Sequence, residues 1–156
     1  MSQNLKIKKM WFIKKKFFTK TEEKHILSAI KEAELASSGE VRVFVESHCK
    51  GEIDRRTIEI FKKLKMDLTK ERNGVLIYIA IKDRRFTIFG DEGIHQKMGF
   101  QFWNAEAAIL KSYFSENKIV EGLSATIISV GQILKEHFPY SNDDKNELPD
   151  TIAYGN

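Results

Sequence analysis

Val75-Leu76-Ile77-Tyr78-Ile79-Ala80-Ile81 is an apolar run with no charge before Lys82. A block of that length, rich in β-branched residues, predicts a strand buried on both faces and therefore central in a sheet. Asn73-Gly74 ahead of it is a turn pair. Lys82-Asp83-Arg84-Arg85 turns the chain into a second strand, Phe86 to Phe89, which stops at Gly90-Asp91-Glu92-Gly93. Upstream, Glu40 to Glu46 alternates strictly, with valines on one face and Arg42 and Phe44 on the other. That period of two predicts the first strand.

Elsewhere the period is helical. Thr19-Lys20-Thr21-Glu22 fits a capping box, and Ile26, Ile30 and Ala33 follow at i, i+4 and i+7, which predicts an amphipathic helix from about 20 to 36. Asp54 is positioned as N-cap of a helix over roughly 55–68, whose apolar face is Ile58, Phe61, Leu64 and Leu68. A short helical turn follows Ile94. From Phe102 a further helix places Trp103, Ala107, Leu110 and Phe114 on one face, and Asn117 is placed to cap a last one carrying Ile119, Leu123, Ile127, Val130 and Leu134. Phe138-Pro139 ends it. The order of elements predicts an α/β fold with a mixed sheet and helices on both faces. A fourth strand is expected without an assigned position.

The totals add one asymmetry. A chain of 156 residues is normally one domain, and one cysteine leaves no internal disulfide and fits a reducing compartment. The net charge is +4, but residues 1–20 carry seven lysines and no acid, while residues 141–156 carry four acids and one lysine. The middle is therefore neutral. We expect a basic, flexible arm (1–18), a single domain (19–140) and an acidic tail (141–156). A balanced globule argues against a nucleic-acid partner. Phe17 and Phe18 directly precede the first helix and are expected to staple it to the core. The lysine-rich arm is a solvated tail or, if it binds anionic lipid, a membrane contact. Its apolar cluster Met10-Trp11-Phe12-Ile13 is too short for a secretory segment, and no window approaches a spanning helix. The expected compartment is cytoplasmic.

Asn73-Gly74-Val75-Leu76-Ile77, Asp83-Arg84 and Gly90-Asp91-Glu92-Gly93-Ile94, followed by Phe114 and Gly122, resemble the TPM domain family over about residues 39–135. The family includes thylakoid-lumen proteins of photosystem repair and many bacterial proteins. Phe138-Pro139 and Asn146-Glu147-Leu148-Pro149-Asp150 resemble its short, stand-alone bacterial form. The resemblance implies a three-layer αβα sandwich with about four strands. It also implies divalent-cation binding, often calcium, in loops at the sheet end, and a modest acid phosphatase activity. Many members carry a signal peptide and a membrane segment, which we do not expect here, and His95 stands where many have a Glu.

A hard divalent cation, Ca2+ or Mg2+, needs several converging oxygens. The candidates are Glu46, Glu52 and Asp54 in the loop after the first strand, Asp83 in the hairpin turn, and Asp91 with Glu92. Each has a plainer role: Asp54 as a helix cap, Asp83 as a turn former, Glu92 as a solvated charge. Asp91 between two glycines, with Glu46 beside it, is the preferred pair. If the first two strands are parallel, Glu46, Asp54 and Asp83 share one end of the sheet and Asp91 goes to the other. If the first strand instead runs beside the return strand, the loops at 46–54 and 90–95 become neighbours. We expect the second arrangement, with Asp83 in reserve. Asp143, Asp144, Glu147 and Asp150 lack a DxDxDG core and read as solvated, and His48-Cys49 is no zinc site.

For hydrolysis, Asp91 or a metal would supply the attack, and Arg84, Arg85 or Arg42 would hold a phosphoryl group. No G-x-S-x-G, P-loop, Cys-x5-Arg or Asp-x-Asp signature is present. The leading expectation is a divalent-metal-binding module that presents an altered surface to a protein partner. The alternatives are a weak metal-dependent phosphatase and an adaptor docking through the basic arm.

Overall fold

The computed structural model describes residues 17–35, 37–99, 101–140 and 152–155. Thr19 opens α1 (Lys20–Glu34) through the expected capping box: its side chain accepts from Glu22 N, and the Glu22 carboxylate accepts from Thr19 N. Phe18 ahead of it is buried, and Phe17 stacks on Tyr154 with ring centroids 6.0 Å apart. Both phenylalanines thus belong to the domain and not to the arm. Residues 1–16 and the acids at 143, 144, 147 and 150 lie outside the described residues.

β1 (Glu40–Glu46) leads through α2 (Ile53–Lys63) and a 3-10 turn (Met66–Leu68) to β2 (Gly74–Ala80) and β3 (Arg85–Gly90). Then come α3 (Glu92–Met98), α4 (Gln101–Ser115), α5 (Ile119–His137) and β4 (Ile152–Tyr154). The four strands form one mixed sheet in the order β3-β2-β1-β4. β2 is central as its run of apolar residues predicts, with every residue buried. Its alternate side chains serve two cores. Val75, Ile77 and Ile79 join the β1 valines beneath α1, α4 and α5, where Ile26, Ile30, Leu110, Leu123 and Ile127 are buried. Leu76, Tyr78 and Ala80 face Ile60 and Phe61 of α2, with Phe44 and Met66. Each fully buried Ile or Leu contributes about 1.5–3 kcal/mol. The result is the three-layer sandwich.

The strand arrangement corrects the expectation on which the preferred pair of cation ligands, Glu46 and Asp91, rested. β1 lies beside β2, parallel, with Glu40 opposite Gly74 and Glu46 opposite Ala80. β3 occupies the other side of β2, antiparallel, with Val75 opposite Gly90 and Ala80 opposite Arg85. A helix between two strands permits a parallel pair, whereas the tight β2–β3 turn forces an antiparallel one, so β2 has both flanks filled. Glu46 and Asp91 consequently stand at opposite ends of the sheet.

Three local readings also change. Glu52, not Asp54, is at the N-cap of α2, and it makes no side-chain cap bond. The helix ends at Lys63, and Lys65 takes a left-handed conformation (φ 60°) that turns Met66 inward and leaves Leu68 exposed. Ile58 is exposed as well, and Thr57 takes the inner position, its hydroxyl donating to Ile53 O. Lys118, not Asn117, precedes α5, because Asn117 (φ 59°) makes the turn between α4 and α5. The unassigned strand is β4, at the end of the chain, where it pairs with β1.

Candidate functional site

At the C-terminal end of β1 and β2, charges are paired before any ligand arrives. Glu46 ends β1 almost fully buried. Arg56, one turn into α2, donates from Nε to Glu46 Oε2 and from Nη2 to Oε1, both at 2.9 Å. The Tyr78 hydroxyl donates to the same Oε2. Burial is the largest influence on Glu46 and raises its pKa. The Arg56 and Tyr78 hydrogen bonds, with the charges of Arg56 and Lys50, together outweigh it and hold the carboxyl below its ordinary value. Burial first, and then the Glu46 hydrogen bond, drive the Tyr78 phenol well above its usual range. Gly155 closes over this group: a Cβ there would stand 2.8 Å from Glu46 Oε1.

On the same end, Asp83 is spent on the neighbouring loop. His48 Nδ1 lies 2.7 Å from Asp83 Oδ1, and Cys49 N donates to Oδ2 at 2.7 Å. These bonds, His48 first, lower the Asp83 pKa. They pin the segment after β1 onto the β2–β3 turn. Asp54 is exposed in the first turn of α2. The structure thus brings Glu46, Asp54 and Asp83 to one end, as a parallel pair requires, but without convergence on a common point.

Asp91 and Glu92 occupy the other end. Asp91 is 5% exposed and opens α3, its Oδ1 accepting from Glu92 N at 2.8 Å. Arg72 donates to it twice, Nε to Oδ2 at 2.7 Å and Nη2 to Oδ1 at 3.0 Å. Arg72 Nη1 also stands 3.8 Å from Glu92 Oε2. The Asp91 hydrogen bonds, followed by its charge, raise the Arg72 pKa. The two loops are locked by backbone as well. Gly93 N donates to Arg72 O at 2.9 Å, and a Cβ on Gly93 would sit 2.2 Å from Glu71 O. Only glycine allows that approach.

Next to this contact, the Ser38 hydroxyl donates to Glu71 Oε2 and Asn73 Nδ2 donates to Ser38 Oγ at 3.0 Å. Asn73 is 1% exposed, and its carboxamide oxygen has no hydrogen-bond partner among the described residues. His95 packs edge-on to Trp103, with centroids 6.1 Å apart. Among the described residues, no three His, Cys, Asp or Glu side chains gather in a way that would hold a metal ion.

The pairing of Asp91 with Arg84, Arg85 or Arg42 as nucleophile and phosphoryl clamp is not assembled. Arg84 and Arg85 lie at the β2–β3 turn, a sheet length from Asp91. Arg42 is in mid-strand, where burial lowers its pKa. The sequence reading missed Arg56, Tyr78, Arg72, Glu71 and Asn73. Tyr78 carried a signal: a phenol in a strand buried on both faces needs a polar partner.

The TPM domain family matches residues 13–133. The chain belongs to the TPM domain family. The NMR structure of BA42 protein from the psychrophilic bacterium Bizionia argentinensis is 40% identical and superposes with a TM-score of 0.84, covering 89% of this chain and 96% of that one. Two more distant structures share the architecture alone. The N-terminal domain of a P. gingivalis protein (18% identity, TM-score 0.62) covers 80% of this chain and 83% of its own. That of cg2496 protein from Corynebacterium glutamicum (14%, 0.63) covers 85% and 84%. No curated protein matches the chain. Among the described residues of this TPM domain, no helix is long and apolar enough to cross a membrane.

Proposed function

We propose that this TPM domain is a divalent-cation-responsive binding module whose cation site is the Asp91–Glu92 loop, with Arg72 as the group that an incoming ion displaces. One observation carries the reading: a nearly buried carboxylate is neutralised by a guanidinium whose side chain is 46% exposed to solvent. The donors at this end are of the right kind for Ca2+ or Mg2+, namely the oxygens of Asp91 and Glu92 and the carboxamide oxygen of Asn73, which has no hydrogen-bond partner among the described residues. They are fewer than the six to eight oxygens of a closed calcium cage, so water completes the shell and affinity falls in the weak range, about 10⁻⁴–10⁻³ M. Glu46, Asp54 and Asp83 take no part, since they stand at the far end. Exchange of Arg72 for an ion frees a guanidinium at the surface and alters what a protein partner meets.

The test is calcium and magnesium calorimetry on the wild type, Arg72→Gln and Asp91→Asn. Because Arg72 competes for the same oxygens, Arg72→Gln binds about tenfold more tightly and Asp91→Asn loses binding. Equal affinity in wild type and Arg72→Gln, or no saturable heat in either, refutes the reading.

A further inference from the structure

We infer that the cleft between the β2–β3 turn and the α4–α5 turn binds a small amphiphile with one anionic head and an apolar body the size of a phenyl ring. The cleft has a volume of about 210 Å³. A void of roughly 150 Å³ accommodates benzene, so this one has room for an aryl group and a short linker. Its apolar wall is Ile79, Ile81, Phe86, Phe114 and Ile119. Phe86 and Phe114 meet edge to face at 5.1 Å and form one side of it. This face lies at the carboxyl end of β2, where ligands of open α/β sheets bind.

Polar residues complete the mouth, and their charge is of one sign. Arg84 and Lys111 line it together with Ser115 and Asn117. Among the described residues no ion pair engages Arg84 or Lys111. Of the acids beside them in sequence, Asp83 is engaged by His48 Nδ1 and Cys49 N, each at 2.7 Å, and Glu116 by Lys118 at 3.4 Å. α4 ends and α5 begins here, so the opposed ends of two helix dipoles offset, and the cations decide the sign. Two left-handed residues frame the opening, Arg84 (φ 54°) and Asn117 (φ 59°). Arg84 Nη2 donates to Asn117 Oδ1 at 2.9 Å, which holds the guanidinium over the cleft and leaves its remaining N–H groups for a carboxylate or phosphate. Apolar walls without that rim would take any hydrophobe. The rim selects an anion.

Titration of the full chain with 3-phenylpropionate and with phenyl phosphate, followed by amide chemical shifts, tests this, with neutral 3-phenylpropionamide as control. Saturable shifts confined to residues 79–86 and 111–119 are expected, from one head or both, and the responding anion identifies the head. The amide binds about tenfold more weakly, and the exposed-site variants Arg84→Gln and Lys111→Gln each weaken the anion by a similar factor. No saturation with either anion, equal binding of the amide, shifts mapping elsewhere, or indifference to both variants would overturn the assignment.

Discussion

Arg56 grips both oxygens of Glu46 across ten residues of sequence, with two hydrogen bonds of 2.9 Å, at the point where β1 leaves the sheet. The Glu46 side chain is 2% exposed and that of Arg56 15%. Removing the cation would strand a desolvated carboxylate. Arg56→Ala is therefore expected to destabilise the domain by about 3 kcal/mol, and adding Glu46→Gln to it recovers part of the loss. Urea denaturation of the single and double variants checks both, and a double variant no more stable than Arg56→Ala contradicts the argument.

Acid sensitivity follows from the same end of the molecule. Glu46 and Asp83 both titrate below their ordinary values. A depressed folded pKa contributes stability that is complete above the unfolded value, about 4 for these carboxyls, and is lost as pH falls through the folded value. Thermal midpoints are thus expected to vary little on account of these groups between pH 7 and about 5 and to fall below about 4. Glu46→Gln shows a shallower acid limb. A variant with an unchanged acid limb would place the titration elsewhere.

Gly93 couples the two loops of the proposed cation site. A methyl there would be 2.2 Å from Glu71 O and 2.7 Å from Arg72 O, both backbone atoms. Gly93→Ala should cost about 1–3 kcal/mol by overpacking. Gly51 is the contrast: its φ is +79°, but nothing lies within 4 Å of its added Cβ. Gly51→Asn, which tolerates that conformation, leaves thermal stability within about 0.5–1 kcal/mol of wild type. Thermal denaturation of the two variants separates crowding from conformation.

Gly131 gives a reversal of sign. On an exposed helix, Gly→Ala gains about 1 kcal/mol. Here the added Cβ would be 2.6 Å from both Cα and Cβ of Ala33, where α5 crosses α1. Gly131→Ala is expected to lower the unfolding midpoint despite its better helix propensity. A raised midpoint would show that the helices separate freely at this crossing.

The architecture was largely written in local pattern. Seven consecutive apolar residues marked β2 as the buried centre, and Thr19 with Glu22 marked the start of α1, because these signals need only neighbours within a turn or a strand. The carboxylates of interest were also visible as types at positions. Their partners were not. Whether Glu46 meets Asp91, Arg56 or Tyr78 depends on which flank of β2 receives β1, and strand order is a long-range choice that alternation along one strand does not encode. Tertiary pairing sent Glu46 to Arg56 and Asp91 to Arg72, at opposite ends of one sheet, and folded Ile152–Tyr154 against β1. By itself the sequence determined which segments become helices and strands and which faces they bury; the tertiary structure decided which charges share a space, since ion pairing depends on distance through the fold and not along the chain.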